Sequence, residues 1–396
     1  MALQLERLQA TSFFFYFCIP IGAFVREQVL QDWLILTSLP RLGRTMISKL
    51  VEEFGSPAHV LAASPEKLKK INGIGQQAVR LLSDRVHIEQ VREKVRHELA
   101  LLDQHNISTV PLDDARYPSL LANIPDSPLL LYLKGRVECL QRQAVAIIGS
   151  RSATSYGRRV AFQLAKELAG RGVCIVSGLA MGIDGEAHTG ALAAGGETVG
   201  VLGCGIDVVY PRQHQELFNA IEEKGLIVSE YPTGTRPDGF RFPERNRIIS
   251  GLAQGVIVVE ATRKSGSLIT AKLALDQGRE VFAVPGRIDS IKSQGTHMLI
   301  QEGAKLVQNV DDVLVELDLL TEAKFESGQK VTDFDSASMS EEEMLLMNCL
   351  DVYPVNIDEL VHNSGYDSAD VSDMLLRMEL KGLVRQLPGQ QYERIQ

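Results

Sequence analysis

The fold of this chain is decided by residues 144–151, which read Ala144-Val145-Ala146-Ile147-Ile148-Gly149-Ser150-Arg151. The five apolar residues predict a strand buried on both faces, because a parallel strand between two layers of helices has no polar side. The glycine turn exposes backbone N–H groups at the end of that strand. A helix follows, and we predict Ser155 as its cap. In α/β proteins this strand, turn and helix form a phosphate-binding edge.

The same pattern repeats further along the chain. Short apolar runs predict more strands, separated by helical patterns, at 173–176, 198–202, 226–228, 256–259 and 280–284. Strands that alternate with helices indicate an α/β fold with a doubly wound, Rossmann-like parallel sheet. Several of these strands end in glycine or serine turns, and the turns predicted to bind phosphate contain Gly149, Gly178, Gly182, Ser265, Gly266 and Ser267.

An arginine-rich segment, residues 236–247, contains four arginines and two phenylalanines and is predicted to be a loop, since it follows Tyr231-Pro232-Thr233-Gly234. Arginines neutralise phosphates and aromatic rings stack on bases, so this segment favours single-stranded nucleic acid as a ligand. Three alternatives stay open: one phenylalanine packs in the core, the arginines form a solvated face, and Asn246 fixes the loop. The residues predicted to bind single-stranded DNA are Ser150, Arg151, Arg241, Phe242, Arg245, Asn246, Arg247 and Lys264.

Composition restricts the class of protein. A chain of 396 residues predicts two or three domains, and its net charge of −9 excludes a surface that is basic everywhere. Nucleic acid would therefore bind to a local patch of cations. The five cysteines form no C-x-x-C pair, so we expect no metal, no disulfide framework, no cofactor and a reducing cytoplasm.

The amino-terminal part divides into two segments. Residues 1–29 include an apolar, aromatic stretch too short to span a bilayer, and we interpret them as an atypical extension and not as a membrane anchor. Residues 30–100 are predicted to be helical, with glycine turns at 39–43 and 71–75. These turns resemble paired helix-hairpin-helix units, which present N–H groups to phosphate; a small helical bundle with tight turns is the alternative.

The carboxyl-terminal part follows a Rossmann-like domain expected at 101–320 and a polar linker expected at 321–340. Residues 341–396 predict three helices and then two short strands, the order of a winged-helix-like domain. The third helix, which would enter a DNA groove, carries Asp370, Asp373 and Glu379. Acidic side chains repel phosphate, so this domain favours contact with protein or a regulatory role.

Two classes of enzyme are alternatives to a protein that only binds nucleic acid. A dinucleotide-dependent enzyme is disfavoured because the spaced glycines are missing and Ser177-Gly178 stands where an acidic residue would hold the ribose. A nucleotide or phosphoribosyl hydrolase needs a positioned acid and base. The candidate acids and bases are Asp184, Glu186, Asp207, Glu230, Glu260, His188 and His214. No two of them have the spacing of a catalytic pair, so roles in local capping and ion pairing are favoured.

Taken together, the motifs resemble the DNA-processing protein A (Smf) family of bacteria. Seven of them occur in the family's order, at 148–151, 177–184, 209–211, 242–252, 265–270, 281–286 and 295–300. The resemblance is strong over 110–310, and the helical and winged-helix-like parts also match the family's layout. The apolar extension does not.

The resemblance implies a non-enzymatic protein of natural transformation. Members of the family are cytoplasmic homodimers, joined through the Rossmann-like domain, that bind single-stranded DNA, shield it from nucleases and load the recombinase RecA onto it. By position, Arg151 would contact phosphate, and Arg241 and Phe242 would belong to the DNA pocket. Related phosphoribohydrolases carry a working glutamate in a glycine-rich signature, and residues 264–271 of this chain contain none.

Overall fold

The computed structural model describes residues 21–319, 340–350 and 354–394, with the backbone alone for 21–27 and for Glu341. These residues form two compact units. The larger unit contains the helical segment and the main sheet, and the smaller one contains the carboxyl-terminal domain. The linker expected at 321–340 lies outside the described residues, apart from Ser340.

Six helices open the larger unit within the described residues: α1 (Ile21–Ser38), α2 (Arg44–Phe54), α3 (Pro57–Ala62), α4 (Pro65–Leu68), α5 (Gln76–Ser83) and α6 (Arg85–Gln104). Helix α1 crosses the boundary expected at residue 30, and residues 1–20 lie outside the described residues. The two predicted glycine turns do open helices, because Gly43 is the N-cap of α2 and Gly75 is the N-cap of α5. Whether they bind phosphate stays a prediction.

The helical segment shares its core with the rest of the unit. Trp33 and Leu50 belong to one buried cluster with Leu130 and Tyr132 of the sheet and with Phe218. Burying apolar surface of this kind contributes about 25 cal/mol per Å². The helices are therefore packed against the sheet.

Nine strands form one sheet among the described residues: β1 (Ser108–Pro111), β2 (Leu130–Gly135), β3 (Ala144–Ile148), β4 (Cys174–Ser177), β5 (Thr198–Leu202), β6 (Leu226–Ser229), β7 (Gly255–Val258), β8 (Glu280–Ala283) and β9 (Lys305–Leu306). Their order is β1-β2-β6-β5-β4-β3-β7-β8-β9. Strand β2 pairs antiparallel with β1 and β6, and every other pair is parallel. The predicted doubly wound, Rossmann-like sheet is confirmed.

Helices connect these strands: α7 (Ser119–Ala122), α8 (Ser155–Gly170), α9 (Ile183–Ala193), α10 (Gln215–Lys224), α11 (Arg241–Leu252), α12 (Gly266–Asp276), α13 (Gln294–Gln301) and α14 (Val310–Glu316). The predicted cap of α8 was wrong by one residue. Ser155 is the first residue of the helix, and the Oγ1 of Thr154 accepts the N–H of Gly157 at 3.1 Å. The residue just before the first turn is the one that can reach this N–H.

The order of the strands creates a crevice at one edge of the sheet. From β3 the chain builds outward through β4, β5 and β6, and it then returns to the other side of β3 to form β7 and β8. The connections that follow β3 and β7 therefore diverge. In open parallel sheets, ligands bind at this reversal, outside the carboxyl ends of the strands.

The smaller unit contains α15 (Glu341–Cys349), β10 (Val355–Asn356), α16 (Ile357–Ser364), α17 (Ser368–Leu380), β11 (Val384–Leu387) and β12 (Gln391–Arg394). The strands pair antiparallel in the order β10-β12-β11. Leu360, Leu375 and Val384 lie in its core. This is the predicted winged helix, with one short strand, β10, that the sequence did not indicate. None of the described helices is long and apolar enough to cross a membrane.

Candidate nucleic-acid interface

A cavity of about 430 Å³ occupies the crevice at the ends of β3 and β7. The turn after β3 forms one wall, the first turns of α11 form another, and the start of α12 forms the third. The side chains and turns that line it include Gly149, Ser150, Arg151, Phe242, Arg245, Asn246, Ser265, Gly266, Ser267 and Lys292. The structure thus brings together most of the residues that the sequence analysis proposed.

Two glycine turns pack directly on each other at the end of β3. The Ile183 N–H donates to the Ser150 carbonyl at 3.2 Å, and a Cβ on Gly182 would lie 2.3 Å from the same oxygen. Gly182 also has a φ of 81°, in the left-handed region that favours glycine. This close approach shapes the turn that presents the exposed side chain of Arg151.

The amino-terminal end of α12 faces the cavity. Ser265 is the N-cap, and its Oγ accepts the N–H of Ser267 at 3.4 Å. A helix start leaves backbone N–H groups without intrahelical partners and carries partial positive charge. Because Ser265, Gly266 and Ser267 all line the cavity, this end of α12 is suited to bind an anion.

Lys292 is a cavity residue that the sequence analysis missed. Its Nζ donates to the Oγ of Ser150 at 3.2 Å and to the Oγ of Ser152 at 2.5 Å. It lies in the 3₁₀ turn Ile291–Ser293, in the connection after β8. A basic residue three positions before the quoted motif at 295–300 was the signal that could have found it.

Aromatic rings cover the opening beside Arg151. Phe242 stacks on Tyr210 with 5.3 Å between ring centroids, and the Arg151 guanidinium lies 5.2 Å from the Phe242 centroid. The Arg241 guanidinium lies 4.9 Å from the centroid of Phe240, which is 57% exposed. Phe242 is half-buried, so neither phenylalanine packs in the core and the core alternative is disfavoured.

Arg245 forms part of the floor of the cavity. It is 3% exposed, and its guanidinium donates to the carbonyls of Gly178 (2.7 Å) and Val201. Burial lowers the pKa of Arg245 to about 10, which leaves it charged at neutral pH, and burial raises the pKa of the neighbouring Asp184 carboxyl, although the charge of Arg245 opposes that increase. Arg245 therefore links the turn after β4 to strand β5 and adds positive potential, but its burial does not fit the expected contact with DNA.

Arg247 lies away from the crevice. It is 6% exposed and forms ion pairs with Glu230 at 2.6 Å and with Asp126 at 3.3 Å. Arg44 of the helical segment pairs with the same two carboxylates. This network joins the helical segment to α11, so the placement of Arg247 does not fit direct binding of DNA.

Asn246 and Lys264, which were also predicted to bind single-stranded DNA, differ in their placement. Asn246 is half-buried and lines the cavity, whereas Lys264 is exposed beside Ser265 and lies outside the lining. The segment predicted to be a loop becomes helical at Arg241, where α11 begins.

Comparison with known proteins identifies the family. The model of the family described as DNA recombination-mediator protein A matches residues 108–318, slightly more than half of the chain. The chain belongs to this family. The DprA winged helix domain matches residues 332–390.

Individual members of the DNA recombination-mediator protein A family agree with this result. Protein Smf of Escherichia coli (strain K12) is 36% identical over 91% of this chain and 94% of its own length. DNA processing protein DprA of Bacillus subtilis (strain 168) is 44% identical over 58% of this chain and 78% of its own length. The X-ray structure of DNA processing protein A from Streptococcus pneumoniae is 37% identical, with a TM-score of 0.62 over 72% of this chain and 97% of that one.

In this family member, two of the carboxylates considered for catalysis have local roles. Asp207 accepts the Gly234 N–H at 2.8 Å, and Glu230 belongs to the ion-pair network with Arg44 and Arg247. Among the described residues, no group of three or more His, Cys, Asp or Glu side chains could hold a metal ion. These placements support the interpretation as caps and ion pairs.

His188 is expected to make the stability of the fold sensitive to acid. It is fully buried, and its Nδ1 lies 2.7 Å from the Thr198 Oγ1, which itself donates to the Ile175 carbonyl. Burial lowers the pKa of His188 from 6.5 to about 3. The unfolded chain binds the proton first, so the free energy of unfolding decreases as pH falls from 6.5, by up to about 1.4 kcal/mol per unit. Urea unfolding between pH 7 and pH 5 measures this loss.

The matched variant is His188→Asn, which keeps an N–H donor near Thr198 but does not titrate. Its unfolding free energy should fall less steeply than that of the wild type over the same pH interval. Protonation of Asp184 acts in the opposite direction, because burial raises its pKa, but it does so in both proteins. Identical slopes for the two proteins would contradict the prediction.

Proposed function

We propose that this chain binds single-stranded DNA in the crevice, shields it from nucleases and loads RecA onto it during natural transformation or recombination. The observation that carries the proposal is that groups able to donate hydrogen bonds to phosphate line the same cavity as Phe242, which stacks on Tyr210. Membership of a family of DNA recombination mediators supports it.

The phosphates would lie along two positively charged walls. The start of α12 offers backbone N–H groups, and Arg151 and Lys292 add full charges on the opposite wall. Arg245 adds positive potential from below. Because the chain as a whole has a net charge of −9, this concentration of cations distinguishes the crevice from the average surface.

The bases would lie against the rings. Phe242 and Tyr210 form a stacked pair at the opening, and Phe240 is exposed beside Arg241. Base stacking of this kind contributes about 1–3 kcal/mol per base and tolerates any sequence. Bases in a duplex are already stacked on one another, so rings in this position favour a single strand.

The first experiment measures the affinity for a fluorescent single strand of about 30 nucleotides and for the matching duplex across a salt series. The salt slope is the decrease in log affinity per unit of log salt concentration, and every phosphate of a single strand that the protein neutralises adds about 0.7 to it. The proposal expects tight, salt-sensitive binding that prefers the single strand. Equal binding of the two forms, or no binding, would contradict it.

Phe242→Leu should weaken single-strand binding by roughly 5- to 150-fold, the equivalent of about 1–3 kcal/mol of stacking free energy. The salt slope should stay unchanged, because the variant still neutralises the same phosphates. Fluorescence anisotropy at several salt concentrations measures both quantities. Ile288→Val is the control, since Ile288 is 92% exposed and does not line the cavity. Unchanged affinity in Phe242→Leu would remove this ring from the proposed site.

We further propose that the protein is not an enzyme. The alternative is a nucleotide or phosphoribosyl hydrolase on the same fold, and the local roles of Asp207 and Glu230 count against it. Incubation with nucleoside monophosphates tests the choice: release of free base by the wild type but not by Asp184→Asn would favour the hydrolase.

The partners and the assembly are also proposals. We infer a cytoplasmic homodimer, joined through the Rossmann-like domain, that acts with RecA, while the acidic winged helix contacts protein. Light scattering tests the dimer. RecA filament formation on DNA coated with single-strand-binding protein tests loading, and an unchanged rate on addition of this protein would contradict it.

A further inference from the structure

Helix α6 holds the loop that leads to the crevice. The two carboxylate oxygens of Glu98 accept from the same residue of that loop, Thr233, its N–H at 3.1 Å and its Oγ1 at 2.8 Å. The two residues lie 135 positions apart in the chain. This pair of hydrogen bonds therefore ties the helical segment to the connection between β6 and α11.

The connection after β5 holds the next residues of the same loop. Both carboxylate oxygens of Asp207 accept the Gly234 N–H, at 2.8 and 3.0 Å, and the Thr235 carbonyl accepts the Gly205 N–H at 2.8 Å. The loop is thus anchored from two sides, by α6 and by the connection after β5. Removing Glu98 would leave one of these two anchors.

The anchored loop leads to the cationic and aromatic side chains at the crevice. Six residues after Thr235, Arg241 begins α11, and its guanidinium donates to the Arg236 carbonyl at 2.7 Å. The same guanidinium lies 5.5 Å from the ring centroid of Tyr231, two residues before Thr233. The position of Arg241 therefore depends on where the loop is held.

We propose that Glu98 is a positioning residue for the single-stranded DNA site, through which the helical segment sets the affinity of the crevice. The inference rests on the proposed function. Glu98 does not line the cavity and would not touch DNA. It acts by keeping the loop ordered before DNA arrives, so that binding does not have to order Arg241 and its neighbours.

The test is Glu98→Gln, which keeps the side-chain size but places an amide –NH₂ against one of the Thr233 donors. Affinity for a 30-nucleotide single strand should fall about 5- to 10-fold, whereas the salt slope should stay unchanged, because Arg241 still neutralises its phosphate once the loop is ordered on DNA. The double variant Glu98→Gln/Arg241→Ala should bind like Arg241→Ala alone, because both changes act on the same interaction with DNA. A purely structural role would instead give additive losses of affinity.

The matched control is Glu93→Gln, which removes the same charge from an exposed position of α6. Loss of a negative charge would by itself strengthen binding to a polyanion, so a weakened Glu98→Gln variant cannot be explained by charge alone. Hydrogen exchange should show reduced protection of the Thr233 and Gly234 amides in Glu98→Gln only. Thr233→Val, which removes only the hydroxyl donor, should reproduce a smaller loss of affinity and serves if Glu98→Gln folds poorly.

The outcomes separate the two proposals. If the wild type binds the single strand and Arg241→Ala weakens binding, then unchanged binding by Glu98→Gln and Thr233→Val, or additive losses in the double variant, overturns this inference alone. If the wild type fails to bind the single strand, the proposed function is overturned and this inference with it.

Discussion

Gly182→Ala should lower the free energy of unfolding by about 3–5 kcal/mol and abolish binding of single-stranded DNA. A Cβ at this position would lie 2.3 Å from the Ser150 carbonyl oxygen and 2.6 Å from that of Arg151. Both neighbours are backbone atoms, which cannot rotate away as a flexible side chain can. The turn after β3 would have to move, and this turn carries Arg151 into the proposed site.

The control for this variant is Gly172→Ala. Gly172 has nearly the same φ, 83° against 81°, but a Cβ there would meet nothing within 4 Å. Its free energy of unfolding should therefore fall only by the cost of the left-handed backbone, about 1–2 kcal/mol, and its affinity for DNA should not change. Chemical denaturation and anisotropy measure the two effects. Equal losses of stability in the two variants would show that contact with the β3 turn does not matter.

The double variant Arg151→Ala/Lys292→Met should weaken binding of a single strand by at least roughly 100-fold at low salt, since hydrogen bonds to charged groups contribute about 1.5–3 kcal/mol each. The salt slope should fall by about 1.4, or about 0.7 for each of the two phosphates that the variant no longer neutralises. The effect should be alike for all DNA sequences, because phosphates carry no sequence information. Salt titrations with two unrelated oligonucleotides measure both properties.

The control variant removes the same charges elsewhere. Arg171 and Lys305 are partly exposed, form ion pairs with Asp311 and Glu316, and do not line the cavity. Arg171→Ala/Lys305→Met should change affinity only slightly through the net charge. If both double variants lose affinity equally, the crevice is not the site and a general charge effect explains the binding.

The sequence predicted the sheet well because its signal is local. A parallel strand covered on both faces consists of consecutive apolar residues, and β3 and β5 have the predicted bounds. The glycine turns were also visible, because few other residues tolerate a backbone such as that of Gly182. The turns predicted at 149–151 and 265–267, which form two walls of the crevice, followed from these two signals alone.

The arginines were harder to predict, because the sequence predicts a loop over 236–247, and a loop pattern does not indicate which way each side chain points. In the structure, α11 begins at Arg241. Residues four apart on a helix share a face, and residues two apart point in different directions. Arg241 and Arg245 therefore share one face of α11, and Arg245 lines the cavity, whereas Arg247 meets Glu230 and Asp126 elsewhere.

By itself the sequence determined the doubly wound sheet, the edge of the sheet that we propose as the binding site and the residues of the first turn. Apolar runs and glycines express these features within a few residues. Tertiary structure alone decided that Lys292 forms a hydrogen bond with Ser150, 142 positions away in the sequence, and that Glu98 forms one with Thr233, 135 positions away. No local pattern encodes such pairs, because each depends on how distant connections converge once the strands have taken their order in the sheet.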